Sequence, residues 1–174
     1  RAEIAKEKGL EPLAKIIMSF PTSGDIKSIC SKFIKDDLNE DKCIEGAKYI
    51  IAEWISDNAS YRKWIRSYFY KNGMITSKIK KNAEDEKKVY EMYYDYTENV
   101  KYIKPHRILA LNRGENEKIL NVSIDVLKDG VISFLEKKII KNEKSFVVTS
   151  IKEAIEDAYK RLIEPSIERE IRSE

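Results

Sequence analysis

Histidine occurs once in the 174 residues, as His106. That scarcity removes most metal centres and most Ser/His or Cys/His catalytic arrangements. Cysteine is nearly as rare. Cys30 and Cys43 form no C-x-x-C pair, and no histidine cluster supports them as zinc ligands. Both stand at helical spacing among apolar residues and read as two buried, reduced thiols, which fits a cytoplasmic location. Six glycines and four prolines are too few turn formers for a many-stranded sandwich or barrel. No apolar run approaches the roughly 20 residues that a bilayer-crossing helix needs, so no membrane partner is expected. G-x-x-x-x-G-K-[ST] and G-x-G-x-x-G are both missing, and with them the backbone cradles for nucleotide phosphates; no cofactor is expected. The chain opens on Arg1 without an initiator Met or a secretory signal, which reads as a piece of something larger.

What the sequence has in abundance is charge. Lys, Arg, Asp and Glu make up 36% of it, beside 42% apolar residues. That mixture builds a core and suits long helices with solvated faces. Helical spacing is clear in Leu13, Ile16, Ile17 and Phe20, in Ile26, Ile29, Cys30 and Phe33, and most of all from Glu40 to Ser56. Ser56, Asp57 and Asn58 are good caps, so a second helix with Tyr61, Ile65, Tyr68 and Phe69 inward should follow as a helical hairpin, ended by Asn72-Gly73. Met74 to Lys80 reads as extended. A helix is expected from Asp85 to about Tyr96 with Val89, Met92, Tyr93 and Tyr96 inward, and another from Pro105 closed by Gly114. Ile119 to Val126 alternates best and should pair with Met74 to Lys80. Val131 to Ile140 is helical in pattern. The last helix begins near Ser150, and Pro165 should kink or break it. Ile167 and Ile171 then restart an apolar stripe with nothing left in the chain to cover it, which suggests docking on a following domain. The expected fold is mainly α: a multi-helix domain with helix-turn-helix-like hairpins and one small two- or three-stranded β-sheet.

Charge is unevenly distributed. Ala59 to Asn82 holds Arg62, Lys63, Arg66, Lys71, Lys78, Lys80 and Lys81 and no acid, interleaved with Tyr61, Trp64, Tyr68, Phe69 and Tyr70. Cations can meet phosphates and exposed rings can stack bases. The alternative is that the rings are core and the cations a solvated reverse face. Trp64 and Tyr70 lie off the apolar stripe and are the better exposed candidates. Asp36 to Gly46 and Ala83 to Glu98 flank this window with four net negative charges each. Carboxylates are plentiful, but no pair of them is spaced as a catalytic dyad, and neither a metal site nor an enzyme is expected.

The most unusual short stretch runs from Lys104 to Glu115. His106 and Arg113 are seven apart and share a helix face, with Arg107 near the start of the same helix and Asn112 and Gly114 near its end. Two readings stand: the arginines bind acids of neighbouring helices, or His106, Arg107 and Arg113 line a phosphate or peptide groove. His106 has no evident partner as a general acid or base.

Four stretches stand together: Ala5-Lys-Glu-Lys-Gly-Leu-Glu-Pro-Leu-Ala14, Glu45-Gly-Ala-Lys-Tyr-Ile-Ile-Ala-Glu53 with Ile55-Ser-Asp57, Pro105-His-Arg-Ile-Leu-Ala-Leu-Asn-Arg-Gly-Glu115, and Ala154 to Arg172 with its Pro-Ser-Ile-Glu-Arg-Glu-Ile-Arg ending. Together they resemble the N-terminal part of the Tex family of bacterial transcription accessory proteins. The third and the end of the fourth are the specific ones. Lys104-Pro105-His106 stands where the family pattern has Pro-Ser-His. The resemblance implies a multi-domain parent in which a helical N-terminal region precedes a YqgF nuclease-like domain, helix-hairpin-helix elements and an RNA-binding OB-fold. Residues 1–164 would be the helical domain, and 165–174 the start of the connection to the YqgF-like domain. It also implies nucleic acid, and possible contact with the transcription machinery, as partners of the parent. It transfers no catalytic residue to this segment.

Overall fold

The computed structural model describes residues 1–173. The chain forms two compact units, residues 1–62 with 129–164, and residues 63–128 with 165–174.

The first unit is helical. It contains α1 (Ala2–Glu7), α2 (Glu11–Met18), α3 (Ile26–Cys30), α4 (Glu40–Asp57), α7 (Lys128–Ile139) and α8 (Val148–Asp157); the elements between α4 and α7 along the chain lie wholly or mainly in the second unit. Pro12 sits in the first turn of α2, where its missing N–H costs nothing. Asp25 caps α3 in a reciprocal box with Ser28, and Asn39 caps α4 through the Lys42 amide. Of the expected stripe of α4, Cys43, Ala47, Ile50, Ile51 and Ile55 are buried, in the core with Leu13, Ile17, Leu135, Ile151 and Ile155, and Trp54 is half-buried. Cys30 and Cys43 are both buried and unbridged. Burial pushes the Cys30 thiol up to about 11, so it stays protonated and unreactive.

Asn58 alone separates α4 from α5 (Ala59–Asn72) and accepts the Tyr61 amide at 3.0 Å. The chain enters the second unit within α5. There β1 (Met74–Ile79), β2 (Asp95–Asn99) and β3 (Leu120–Asp125) form an antiparallel sheet in the order β2-β1-β3. The expected pairing of the two extended segments is present, with Thr76 opposite Ser123 and Ile79 opposite Leu120. Leu120, Val122 and Ile124 turn inward, and Asn121, Ser123 and Asp125 are exposed. Helix α6 (Pro105–Asn116) packs on the inner face. It does not close at Gly114 as expected but runs two residues further. Gly114 serves approach instead: a Cβ there would lie 2.5 Å from Leu120 Cδ1 and 2.9 Å from its Cγ.

The expected helix from Asp85 to Tyr96 is absent. The segment makes turns, a 3-10 turn at Glu91–Tyr93 and then β2. Asp85 holds the turn by accepting the Val89 and Tyr90 amides and the Tyr94 hydroxyl, and Lys88 takes φ +50°, which an α-helix does not admit. Tyr93 is buried as expected and Tyr96 half-buried, but Val89 and Met92 are exposed and Tyr90 is buried instead. Pro165 neither stops nor sharply breaks the last helix. A π-helical stretch, Ala158–Ile163, precedes it and α9 (Glu164–Arg172) continues. The wider turn absorbs a residue that cannot donate to the preceding ladder. Ile167 and Ile171 are 0% and 3% exposed. The chain itself covers the stripe that was expected to need a following domain, because α9 is held to α5 and α6 by side-chain bonds.

Candidate nucleic-acid interface

Helix α5 from Lys63 onward and the strand after it carry the basic window within the second unit. Lys63, Ser67 and Lys71 recur every four residues and are all exposed, so they form one stripe along the helix. Trp64 is 37% exposed and stacks on Tyr68, with centroids 5.2 Å apart and planes 14° from parallel. The stacked pair lies beside the lysine stripe. Ile65 and Phe69 are buried as expected, while Tyr68 is half-buried. Tyr70, expected among the exposed rings, is half-buried. Lys78 projects from the outer face of the sheet and Lys81 follows β1, both exposed; Lys80 is half-buried, with its amide donating to Ile119 O at 2.8 Å.

The two arginines of the window are engaged in the fold. Arg62, in the first unit, donates through Nε to the Ser56 carbonyl and through Nη2 to Ser56 Oγ at 2.8 Å. Arg66 pairs with Glu170 of α9 at 2.6 Å. Planar, forked donors suit such fixed geometry; the lysines keep their ammonium groups on flexible stems in solvent.

The Lys104 to Glu115 stretch resolves residue by residue. Arg107 donates to Glu98 Oε1 at 3.0 Å and to the Tyr96 hydroxyl at 2.9 Å, tying α6 to β2. The Tyr96 bond first, and Arg107 with it, outweighs burial and holds the Glu98 carboxyl below its usual range. Asn112 accepts from Arg172 Nε at 3.0 Å and donates to the Arg172 carbonyl at 2.8 Å. Arg172 also forks onto Glu115 and reaches Glu168 at 3.7 Å. His106 and Arg113 are exposed. Of the two readings, anchoring of acids therefore describes Arg107, while Arg113 plays no such part among the described residues. Arg172 was not singled out from the sequence. Its signal lay in the specific ending of the fourth family-like stretch, which turns out to be clasped to the third.

Of the chain's charged residues, the second unit holds sixteen basic and twelve acidic, and the first seventeen basic and eighteen acidic. The whole basic excess thus lies with the unit that carries the lysine stripe. Among the described residues, no three His, Cys, Asp or Glu side chains converge as a metal site, and no helix is long and apolar enough to cross a membrane.

Comparison with known proteins covers both units. A family model described as Tex central region-like matches residues 23–174. The chain is 49% identical over its full length to the protein YdcI of Bacillus subtilis (strain 168), covering 25% of that protein. It is 27% identical over 74% of its length to the transcriptional accessory protein Tex of Neisseria gonorrhoeae, covering 17% of it. Over 99% of its length it is 29% identical to the human S1 RNA-binding domain-containing protein 1, covering 19%. The chain therefore spans a quarter or less of the relatives it matches.

Proposed function

Because the chain belongs to the Tex family, we propose that it is the non-enzymatic scaffold and interaction region of a cytoplasmic transcription accessory protein. In this reading the second unit meets the backbone of RNA or DNA through Lys63, Lys71, Lys78, Lys80 and Lys81. Trp64 offers a ring face to a base, while Arg66 adds to the field of the surface and Tyr70 helps to shape it. The observation that carries the reading is the stripe of Lys63 and Lys71 beside the exposed Trp64–Tyr68 stack. Ammonium groups release counterions from phosphates, and stacking adds sequence-tolerant affinity. Relatives whose names carry transcription and S1 RNA binding lend support. The parent would continue from residues 165–174 toward a YqgF-like domain, and its other contacts would be with the transcription machinery.

A salt titration of the full chain against single-stranded and duplex nucleic acid tests this. Micromolar binding that weakens steeply with salt is expected. Absence of binding at about 50 mM salt would leave the chain a purely protein-binding module.

A further inference from the structure

Helix α6 divides its side chains by task, and one set has no task inside the protein. Ile108 and Leu111 are buried, and Gly114 admits Leu120. Arg107 is spent on Glu98 and Tyr96, and Asn112 and Glu115 are spent on Arg172. Besides Pro105 and the half-buried Ala110, what remains is His106, Leu109, Arg113 and Asn116, spaced three, four and three residues apart and all exposed. That spacing is a single helical stripe. Leu109, near its middle, is 65% exposed; Tyr102, in the turn before α6, is 64% exposed, with the Lys101 ammonium 5.5 Å from its ring centroid.

Charge along this stripe is of one sign. Lys101 and Lys104 are exposed at its start, and Arg113 follows Leu109 by one turn. Three carboxylates on or beside α6 are turned to other partners: Glu98 to Arg107, Glu115 to Arg172, and Glu117 to the Tyr90 hydroxyl. Neither His106 nor Arg113 has an ion pair among the described residues.

We propose that the His106–Leu109–Arg113 face of α6 docks an acidic amphipathic helix of a partner protein. Leu109 gives its apolar side a place to bury, while Arg113 and Lys104 meet carboxylates along its flanks. This is helix-on-helix recognition through an apolar anchor with a charged rim. A nucleic-acid backbone would use the cations but gain nothing from an exposed leucine between them. The lysine stripe of α5 is a different surface, so the two assignments stand or fall separately.

The test is calorimetric titration of the full chain with a helical peptide of roughly 15 residues, with Leu and Phe on one face and Glu on both flanks. A second peptide replaces each Glu by Lys, and a single-stranded oligonucleotide is the third probe. The expected result is binding of the acidic peptide alone among the two peptides. Leu109→Ser and Arg113→Glu should each weaken it at least about tenfold, without altering oligonucleotide binding. Arg113→Lys, which keeps the charge, should stay within about threefold of the parent and show that folding is not the cause. Equal binding of both peptides, no binding of the acidic one, or acidic-peptide binding unchanged in Leu109→Ser and Arg113→Glu would overturn the proposal. So would oligonucleotide binding that falls in those two variants while the acidic peptide is ignored.

Discussion

Arg172 and Arg66 are both arginines in ion pairs, yet their surroundings set different values on them. Only 15% of the Arg172 side chain is exposed, and its guanidinium meets Asn112, Glu115 and Glu168. Removing it strands a half-buried amide and two carboxylates. Arg172→Ala should cost about 2 kcal/mol in urea unfolding. The Arg66–Glu170 pair is 39% and 41% exposed, so Arg66→Ala should cost less than about 1 kcal/mol in the same assay. Acid stability rests on other residues. Burial alone would raise the Asp85 carboxyl, but the Tyr90 amide, the Tyr94 hydroxyl and the Val89 amide outweigh it and hold it below its usual range. Glu98 is lowered as well. For a carboxyl whose folded pKa is depressed, the stabilisation is complete above the unfolded value, about 4. It is lost as pH falls through the folded value. The urea midpoint should therefore drop between about pH 5 and pH 3, and Asp85→Asn should flatten that dependence.

The elements differ in how far the sequence reveals them. Helix α4 and strand β3 were legible because one buried face imposes a clean period on each. The segment from Asp85 to Asn99 was not. Its Val89, Met92, Tyr93 and Tyr96 fit a helical stripe, but the competing bonds of one aspartate and a vacant edge on β1 favour turns and a third strand. Neither is visible in local periodicity. Burial of Ile167 and Ile171 was equally hidden, since it depends on the long-range clasp of Arg172 to Asn112 and Glu115. The sheet order makes its own prediction. β1 lies between β2 and β3, so the amides of β1 should exchange more slowly with deuterium than those of the edge strand β2. Equal rates would mean that β2 is held by more than its pairing.

For the molecule as a whole, the small net charge of +3 conceals the division that matters. The first unit is close to neutral, and the second carries the excess, with its lysines outward and its arginines largely committed to the fold. The basic-aromatic window was legible in the sequence; which of its cations face solvent was not, because that depends on partners such as Glu170 and Ser56 that lie far along the chain or on a preceding helix. The claim that this surface meets nucleic acid is tested most directly by the salt dependence of binding in the double variant Lys63→Glu/Lys71→Glu. Fluorescence anisotropy with a single-stranded RNA, from about 50 to 300 mM salt, gives the slope of log K against log salt. The account predicts weaker binding and a slope shallower by about 1 to 2 than that of the parent chain, with the fold unchanged. An unchanged affinity and slope in the double variant would contradict it.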